Sequence, residues 1–268
     1  MTDHRLPTYF ISHGGGPWPW MKEQMGGVYD HLEAALARMP ADIGVTPRAI
    51  LMLSAHWEAP QFTVQTSPAP GMLYDYGGFP DFTYSITYPA PGAPDVAARV
   101  CEALAAAGIE SREDAARGFD HGMFAPMAII YPKADVPVLQ LSLKTGLVPD
   151  EHLALGRALA PLRDEGILIV GSGLSYHNLR AFGPAARAPS AAFDAWLEST
   201  LAVADAATRS ATLATWERAP AARLAHPREE HLLPLRVALG AAEGEAARQV
   251  YHESDFFGGI TVSSYRFG

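Results

Sequence analysis

The stretch Ala49-Ile50-Leu51-Met52-Leu53-Ser54-Ala55-His56-Trp57-Glu58 decides how this chain folds. Its five apolar residues run without a break, which is typical of a strand buried on both faces of a parallel sheet. The run then ends in two small residues and a histidine. Because ligands of open α/β sheets bind beyond the carboxyl ends of such strands, His56 stands where a reactive side chain is expected.

Two further segments repeat this pattern of a buried strand that leads into a histidine. Residues 8–12 are mostly apolar and run into His13, which is followed by three glycines. Residues 167–170 continue through Gly171-Ser172-Gly173 and reach His177. Three such strands predict one shared site at a single edge of the sheet.

The order of elements along the chain predicts the fold class. Strands alternate with helices, as in α/β proteins whose mostly parallel central sheet is covered by helices on both faces. The sequence shows no internal repeat, charge block or linker, so residues 1–268 are expected to form a single domain. Helices are predicted at residues 28–39 (ended by Pro40), 95–107, 122–131, 151–165, 191–204, 211–218 and 229–239, and strands at 8–12, 49–53, 62–66, 136–143, 167–170, 249–252 and 259–267.

The composition narrows the choice of partners and compartment. The chain carries 29 Asp and Glu against 20 Lys and Arg, and its net charge of −9 argues against nucleic acid or an anionic membrane as the main partner. A single cysteine excludes an internal disulfide and fits a reducing compartment. Neither a signal peptide nor an apolar run of the ~18 residues needed to span a membrane is evident, so a cytoplasmic location is expected.

Residues 67–94 combine six prolines with six tyrosine and phenylalanine side chains. This density prevents a regular helix and predicts a long ordered loop, and such loops in compact domains are often functional. The alternative is a loop that only packs its rings over the core. Tyr76 and Phe79 on this loop are candidate substrate contacts, as is Trp18 in the glycine-rich loop after the first strand.

Imidazole side chains are the main candidates for chemistry at this edge of the sheet. The glycines after His13 let the backbone approach whatever its ring holds, so a metal ligand is favoured over a structural turn histidine once His56 is considered. His177 is expected to project over the same edge, as another ligand or as the proton-transfer group. Histidines with no partner signal are interpreted as surface residues: His4, His31 and His152.

The last histidine cluster is predicted to start a helix, with Pro227 in its first turn. His231 or Glu230 could supply a third metal ligand, but successive helical residues point about 100° apart, so only one of them is expected to face an ion. His121 follows Asp120, which could orient the imidazole or cap the next helix. A role for His121 in the site is predicted.

In their order along the chain, these segments resemble the class III (LigB-like) extradiol ring-cleavage dioxygenases, specifically the DOPA-dioxygenase group. Each motif alone is weak, whereas the ordered set extends over residues 8–240. The matching segments are Phe10-Ile11-Ser12-His13-Gly14, Leu53-Ser54-Ala55-His56-Trp57-Glu58, Tyr76-Gly77-Gly78-Phe79-Pro80, Tyr88-Pro89-Ala90-Pro91-Gly92, Asp120-His121-Gly122, Val170-Gly171-Ser172-Gly173 with His177-Asn178-Leu179, and Ala225-His226-Pro227 with Glu230-His231-Leu232-Leu233-Pro234.

The resemblance implies a non-haem metal enzyme, normally with Fe(II), that opens a catechol-type ring with O2 to a semialdehyde. His13, His56 and His231 would bind the metal. His177 would act as the acid/base group, and His121 would lie near the substrate. A small aromatic diol and O2 are the expected partners, and homo-oligomer formation is left open. The loop after His13 is bulkier than the group leads one to expect, and a histidine-rich site would also tolerate Zn(II).

Two other functions fit the same residues. A Zn(II)-dependent hydrolase would use the histidines to activate water and would work without O2. A Memo-like non-catalytic binding protein would share the architecture, although the full set of histidines argues against it. The sequence does not specify the substrate's side chain. A carboxylate there would require a cation, for which the candidates are Lys22, Lys144, Arg180 and Arg228.

Overall fold

Residues 5–268 are described by a computed structural model in which strands and helices alternate along most of the chain. His4, expected at the surface, lies outside the described residues. The strands are β1 (Thr8–Ser12), β2 (Ala49–Ser54), β3 (Glu58–Ala59), β4 (Phe62–Gln65), β5 (Ser111–Asp114), β6 (Val138–Gln140), β7 (Leu143–Lys144), β8 (Ile167–Gly173), β9 (Ala247–Phe256) and β10 (Ile260–Phe267). The helices are α1 (Asp30–Ile43), α2 (Pro94–Ala106), α3 (His121–Ile130), α4 (Pro149–Leu159), α5 (Arg187–Leu201), α6 (Ala206–Ala214), α7 (Ala222–Ala225) and α8 (Leu233–Gly240).

The central sheet has six strands in the order β6-β2-β8-β1-β10-β9. The first four strands run parallel, and β10 and β9 add to the sheet antiparallel. A short connection between β9 and β10 permits only antiparallel pairing, whereas the parallel strands are joined by longer crossovers. The predicted α/β fold is confirmed, with a sheet that the carboxyl-terminal hairpin makes mixed.

Helices cover both faces of this sheet, as predicted. Ile50 and Met52 of β2 pack in one hydrophobic cluster together with residues of α1 and α3. Leu51 and Leu53, which point the other way, pack with residues of α2 and α4. This alternation follows from the two-residue period of a strand. Within residues 5–268, no helix combines the length and apolar character that crossing a bilayer would need.

The register of the parallel strands aligns their carboxyl ends. Ser54 of β2 pairs with Ser172 of β8, and Ser12 of β1 pairs with Gly173 of β8. Because β8 lies between β2 and β1, the chain leaves all three strands at the same edge of the sheet. The residues that follow these strands therefore meet in space.

Several predicted helix boundaries are wrong: the helix expected at 211–218, for example, is α6 (Ala206–Ala214) followed by a 3₁₀ turn at Trp216–Arg218. Helix α1 does not end at Pro40 but continues to Ile43, and Gly44 then ends it in the left-handed conformation with its N–H donated to the Pro40 carbonyl. Burial of Ile43 in the core favours this extra turn. The last predicted helix, 229–239, begins only at Leu233, so that Pro227 lies outside it.

Other predictions about the helical parts also need correction. The segment 151–165 is helix α4 followed by a 3₁₀ turn at Ala160–Glu165, because Pro161 has no N–H to continue the α-helical bonding. His152 on α4 is fully buried rather than at the surface. Its Nδ1 contacts the Val148 carbonyl at 2.8 Å, and its Nε2 accepts from the Lys144 N–H at 3.2 Å.

Helices α4 and α8 cross at two glycines. A Cβ at Gly156 would lie 2.3 Å from the Val237 carbonyl oxygen and 2.9 Å from the Gly240 Cα. A real Cβ is essentially never found so close to backbone atoms, so the helices approach closely only because position 156 has no side chain.

Gly156→Ala should therefore force the two helices apart and lower the free energy of unfolding by about 1–3 kcal/mol, the usual range for overpacking. Gly244→Ala is the matched control, because a Cβ there meets no atom within 4 Å. Urea titration followed by circular dichroism measures both. Equal stability of the two variants would contradict the close crossing.

Candidate active site

Three imidazole rings converge beyond the carboxyl edge of the parallel strands. The ring centroids of His13 and His56 lie 4.9 Å apart, and the ring centroid of His231 lies 5.2 Å from that of His13 and 5.0 Å from that of His56. The Nε2 atoms of His13 and His56 are 3.2 Å apart. His13 and His231 are buried and His56 is mostly buried. The structure thus brings together the three residues expected to be metal ligands.

His231 reaches this cluster because its backbone crosses directly over the end of β8. The Leu174 N–H donates to the His231 carbonyl at 3.1 Å, and the His177 N–H donates to the Ala225 carbonyl at 3.0 Å. A Cβ at Gly173 would lie 2.1 Å from the His231 carbonyl oxygen. Glycine at position 173 therefore permits this crossing.

Hydrogen bonds fix which nitrogen of His13 carries the proton. The Ser172 hydroxyl donates to the Gly122 carbonyl at 2.5 Å and lies 3.1 Å from Nδ1 of His13. A hydroxyl has one proton, so Ser172 must accept from His13, whose Nδ1 is then the protonated nitrogen. The lone pair of His13 is left on Nε2, which faces His56.

The other two rings are oriented by carboxylates. Nδ1 of His56 lies 3.3 Å from Oδ2 of Asp75, and Nδ1 of His231 lies 2.9 Å from Oε1 of Glu230. Nε2 of His231 is buried without a hydrogen-bond partner within the described part of the chain. His13 and His231 are therefore held by hydrogen bonds at Nδ1, the usual arrangement around a protein-bound metal, and Asp75 lies beside Nδ1 of His56. Nε2 is then the nitrogen that each ring has available for a metal.

The spacing also fits an ion. Two nitrogens about 2.1 Å from a tetrahedral or octahedral metal lie about 3.0–3.4 Å apart, which includes the observed 3.2 Å. Two groups offer ligand atoms that all lie within 4.8 Å of one another: His13, His56 and His121, and His177, Glu230 and His231. These groups adjoin through His231, so a divalent cation could be held where they meet.

Burial keeps the cluster uncharged. Burial, followed by repulsion from the neighbouring His121, lowers the pKa of His56 to about 4. Burial, followed by repulsion from the other histidines, lowers the pKa values of His13 and His231 well below the ordinary 6.5. Neutral imidazole is the form that binds metals, so these rings need not lose a proton first.

His121 and His177 lie on opposite sides of the cluster. Asp75 holds His121 through Oδ1, which accepts from its backbone N–H and lies 2.9 Å from its Nδ1. His177 stacks on His231 with centroids 3.3 Å apart, and its Nδ1 lies 3.2 Å from Glu230 Oε1. Both line the cavity described below.

Asp120 neither orients His121 nor caps α3 with its side chain, contrary to both sequence-based alternatives. Its carboxylate instead accepts from Ser54 Oγ at 2.6 Å, from Gln140 Nε2 at 2.8 Å and from Arg117 Nη2 at 2.9 Å. Asp120 therefore ties α3 to β2 beneath the site.

A cavity of about 480 Å³ opens over the histidines. Phe79 lines it, as predicted for a substrate contact. Trp18 does not: it is fully buried, stacks on Tyr29 and donates its indole N–H to the His13 carbonyl at 2.8 Å. Tyr76 lies behind the wall, with its ring against Phe79 and its hydroxyl donated to the Thr83 carbonyl. Trp18 and Tyr76 therefore support the site from outside the cavity.

Sequence reasoning missed Asp75 on the proline- and aromatic-rich loop, which holds His121 by hydrogen bonds and lies 3.3 Å from Nδ1 of His56. The pKa of Asp75 is lowered: burial raises it, but the hydrogen bond and charge of His121 outweigh burial. One signal was available, because Asp75 is the only charged residue between Glu58 and Asp81. An isolated acid in an otherwise uncharged loop indicates a buried partner.

The fold and this cluster define an α/β enzyme with a histidine-rich site that could hold a metal. Residues 7–268 match the family model described as the catalytic LigB subunit of aromatic ring-opening dioxygenase. The chain belongs to this LigB family, and it is an extradiol dioxygenase that would use an aromatic substrate and O2.

Relatives agree with this assignment over almost their whole length. The 4,5-DOPA dioxygenase extradiol of Beta vulgaris is 42% identical, with 99% of this chain and 97% of that protein covered. The protein of the same name from Escherichia coli (strain K12) is 33% identical, with 100% and 97% covered. The crystal structure of the uncharacterized protein JW3007 from Escherichia coli K12 superposes with a TM-score of 0.79 at 28% identity, covering 98% of this chain and 100% of that one.

The buried histidines predict that acid destabilises the metal-free protein. Burial holds the pKa of His56, His152 and His226 at about 4. Below pH 6.5 the histidines of the unfolded chain bind protons that those of the folded protein do not, so the free energy of unfolding decreases as the pH is lowered. Between pH 6.5 and 5.5 the loss should be about 1 kcal/mol for each of these histidines. Urea titrations with a chelator present test this, and a constant value over that range would contradict it.

Proposed function

We propose that this protein is a non-haem Fe(II)-dependent dioxygenase that opens the ring of a catechol-type compound beside its two hydroxyls, giving a semialdehyde. The observation that carries the proposal is the convergence of three imidazole rings, each with Nδ1 beside Ser172, Asp75 or Glu230 and with Nε2 left for a metal. Residues 1–268 would form a single catalytic domain, and its single cysteine supports a reducing, cytoplasmic location.

His13, His56 and His231 would hold the metal through Nε2. Glu230 is the poorer third ligand, because its Oε1 accepts from His231 Nδ1 and faces His177 Nδ1, and its Oε2 lies 3.5 Å from the Arg228 guanidinium. Bound Fe(II) would supply sites for the catechol oxygens and O2 and the redox chemistry that triplet O2 needs to react with a closed-shell ring. Zn(II) would fit the same nitrogens without that redox chemistry.

His177 would move the substrate's proton. Its Nδ1 faces Glu230, which leaves Nε2 as the nitrogen available to a catechol hydroxyl in the cavity. Stacking on His231 fixes the plane of the ring, so the nitrogen is positioned before substrate enters. Glu230 would stabilise the imidazolium that forms.

His121 would stabilise negative charge on the bound substrate. With Asp75 at its Nδ1, the ring can take up a proton at Nε2 and still have both N–H groups directed at acceptors. The loop that carries Asp75 also supplies Phe79 to the cavity wall, and this loop would help to exclude water during the reaction.

Removal of a ligand should abolish metal binding, while removal of His121 should not. His56→Ala and His231→Ala should each lose most bound metal after anaerobic Fe(II) loading and desalting, because two nitrogens hold a divalent ion poorly. His121→Ala is the matched control and should keep it. Metal analysis with circular dichroism measures the outcome. Retention of metal by His231→Ala together with loss by His121→Ala would reverse the two roles.

His177→Ala should keep the metal and lower turnover of catechols by about 10²–10⁴-fold, the usual contribution of a general acid–base group. Oxygen uptake and the yellow colour of the semialdehyde report the reaction. Unchanged turnover would remove His177 from the mechanism. Product formation under strictly anaerobic conditions would instead favour a Zn(II)-dependent hydrolase.

A further inference from the structure

The cavity over the histidines has an ionisable floor and an apolar wall. The wall consists of Met25, Phe79, Leu179, Phe182, Phe256 and Phe257. Its rings are continuous, because Phe257 contacts Phe182 at a centroid distance of 5.3 Å and Phe256 at 4.8 Å. A ring whose hydroxyls lie at the histidines would therefore direct its substituent against apolar carbon.

The backbone holds Phe257 in this wall at an energetic cost. Phe257 and Gly258 have φ values of 50° and 76°, and the Gly259 N–H donates to the Phe256 carbonyl at 3.2 Å. This is the pattern of a hairpin turn that favours Asn-Gly, in which a bulky aromatic residue at positive φ is rare. Its packing against Phe182 and Tyr29 offsets the strain.

No lysine or arginine among residues 5–268 lines the cavity. Three of the four sequence-based candidates for binding a carboxylate are already paired: Lys22 with Glu33, Lys144 with Glu151, and Arg228 with Glu58. Arg180, the fourth, is exposed and does not line the cavity, although its neighbour Leu179 does.

The charges that do face the cavity or its floor are negative. Asp75 lines the cavity, and Glu230 lies directly behind His177 and His231. A carboxylate on the substituent would lose its hydration against apolar carbon, and no lysine or arginine among the lining residues of the described chain would pair with it. Burial of an unpaired charge is strongly unfavourable.

We propose that the physiological substrate is a catechol whose ring substituent is uncharged and apolar, such as an alkyl, aryl or ester group. This inference rests on the proposed ring-opening function and concerns its specificity. It separates this chain from relatives whose names specify DOPA, an amino acid with a carboxylate. The apolar wall accepts the substituent, and the absence of a facing cation rejects the carboxylate.

A matched pair of substrates tests the proposal. The methyl ester of 3-(3,4-dihydroxyphenyl)propionate should have a kcat/KM about 10- to 100-fold higher than the free acid, since an unpaired buried carboxylate costs roughly that factor. L-DOPA should resemble the acid. Oxygen uptake by the Fe(II)-loaded enzyme measures all three. An acid that reacts as well as the ester, or better, would overturn the inference and leave the ring-opening function intact.

Binding separates this inference from the function on which it rests. If neither compound is opened, the proposed function fails, and titration calorimetry of the metal-free protein with the same pair still decides the specificity. Tighter binding of the ester by about 10-fold or more supports the apolar wall. Equal binding, tighter binding of the acid, or no binding of either compound would overturn it.

Added charge gives a second test. Leu179 lines the cavity with 72% of its surface exposed, so Leu179→Arg should fold normally and place a cation at the cavity mouth. The kcat/KM of the acid should rise about 5-fold or more relative to that of the ester, because the new cation pairs only with the carboxylate. Val45→Arg is the control, because Val45 is exposed and precedes β2 at the opposite edge of the sheet. An unchanged ester-to-acid ratio in Leu179→Arg would contradict the charge argument.

Discussion

The alignment of three parallel strand ends is the constraint on which the site depends. Because β8 lies between β2 and β1 and pairs with both in register, the chain leaves all three strands at one edge of the sheet. His13 and His56 follow two of these strands directly. Gly173 at the end of β8 has no side chain, so the segment that carries His231 can cross over the end of this strand. A slip of one register would reverse the side chains and separate the rings.

The close packing of the histidine rings is also electrostatically unfavourable in the absence of a cation. Neutral imidazoles lie close together, with Nε2 of His13 facing Nε2 of His56 at 3.2 Å. Hydrogen bonds from Nδ1 to Ser172 and Glu230 hold His13 and His231, and Asp75 lies beside Nδ1 of His56. Such an arrangement is unfavourable until a cation occupies the centre. Part of the metal's binding energy would therefore appear as stability of the surrounding fold.

Local pattern was enough to predict the strands of the central sheet, the fold class, and His13 and His56, because these two histidines closely follow apolar runs. It failed where position depends on distant parts of the chain. Asp75 reaches the histidines from a loop without regular periodicity, and Trp18 faces inward because it binds the His13 carbonyl. Likewise, the segment before Leu233 is kept from forming helix by its contacts with the end of β8. Apart from the isolation of Asp75 in an otherwise uncharged loop, none of these contacts leaves a signal in neighbouring residues.

The β9–β10 hairpin joins the sheet antiparallel, outside the parallel strands that deliver the histidines. Its tip nevertheless supplies Phe256 and Phe257 to the cavity. Part of the cavity wall is thus carried by a piece of backbone separate from the strands that deliver the histidines. Substitutions at the tip of one hairpin can change which molecules enter the cavity and leave the histidine cluster unchanged. Closely related members of this family therefore need not accept the same substrates.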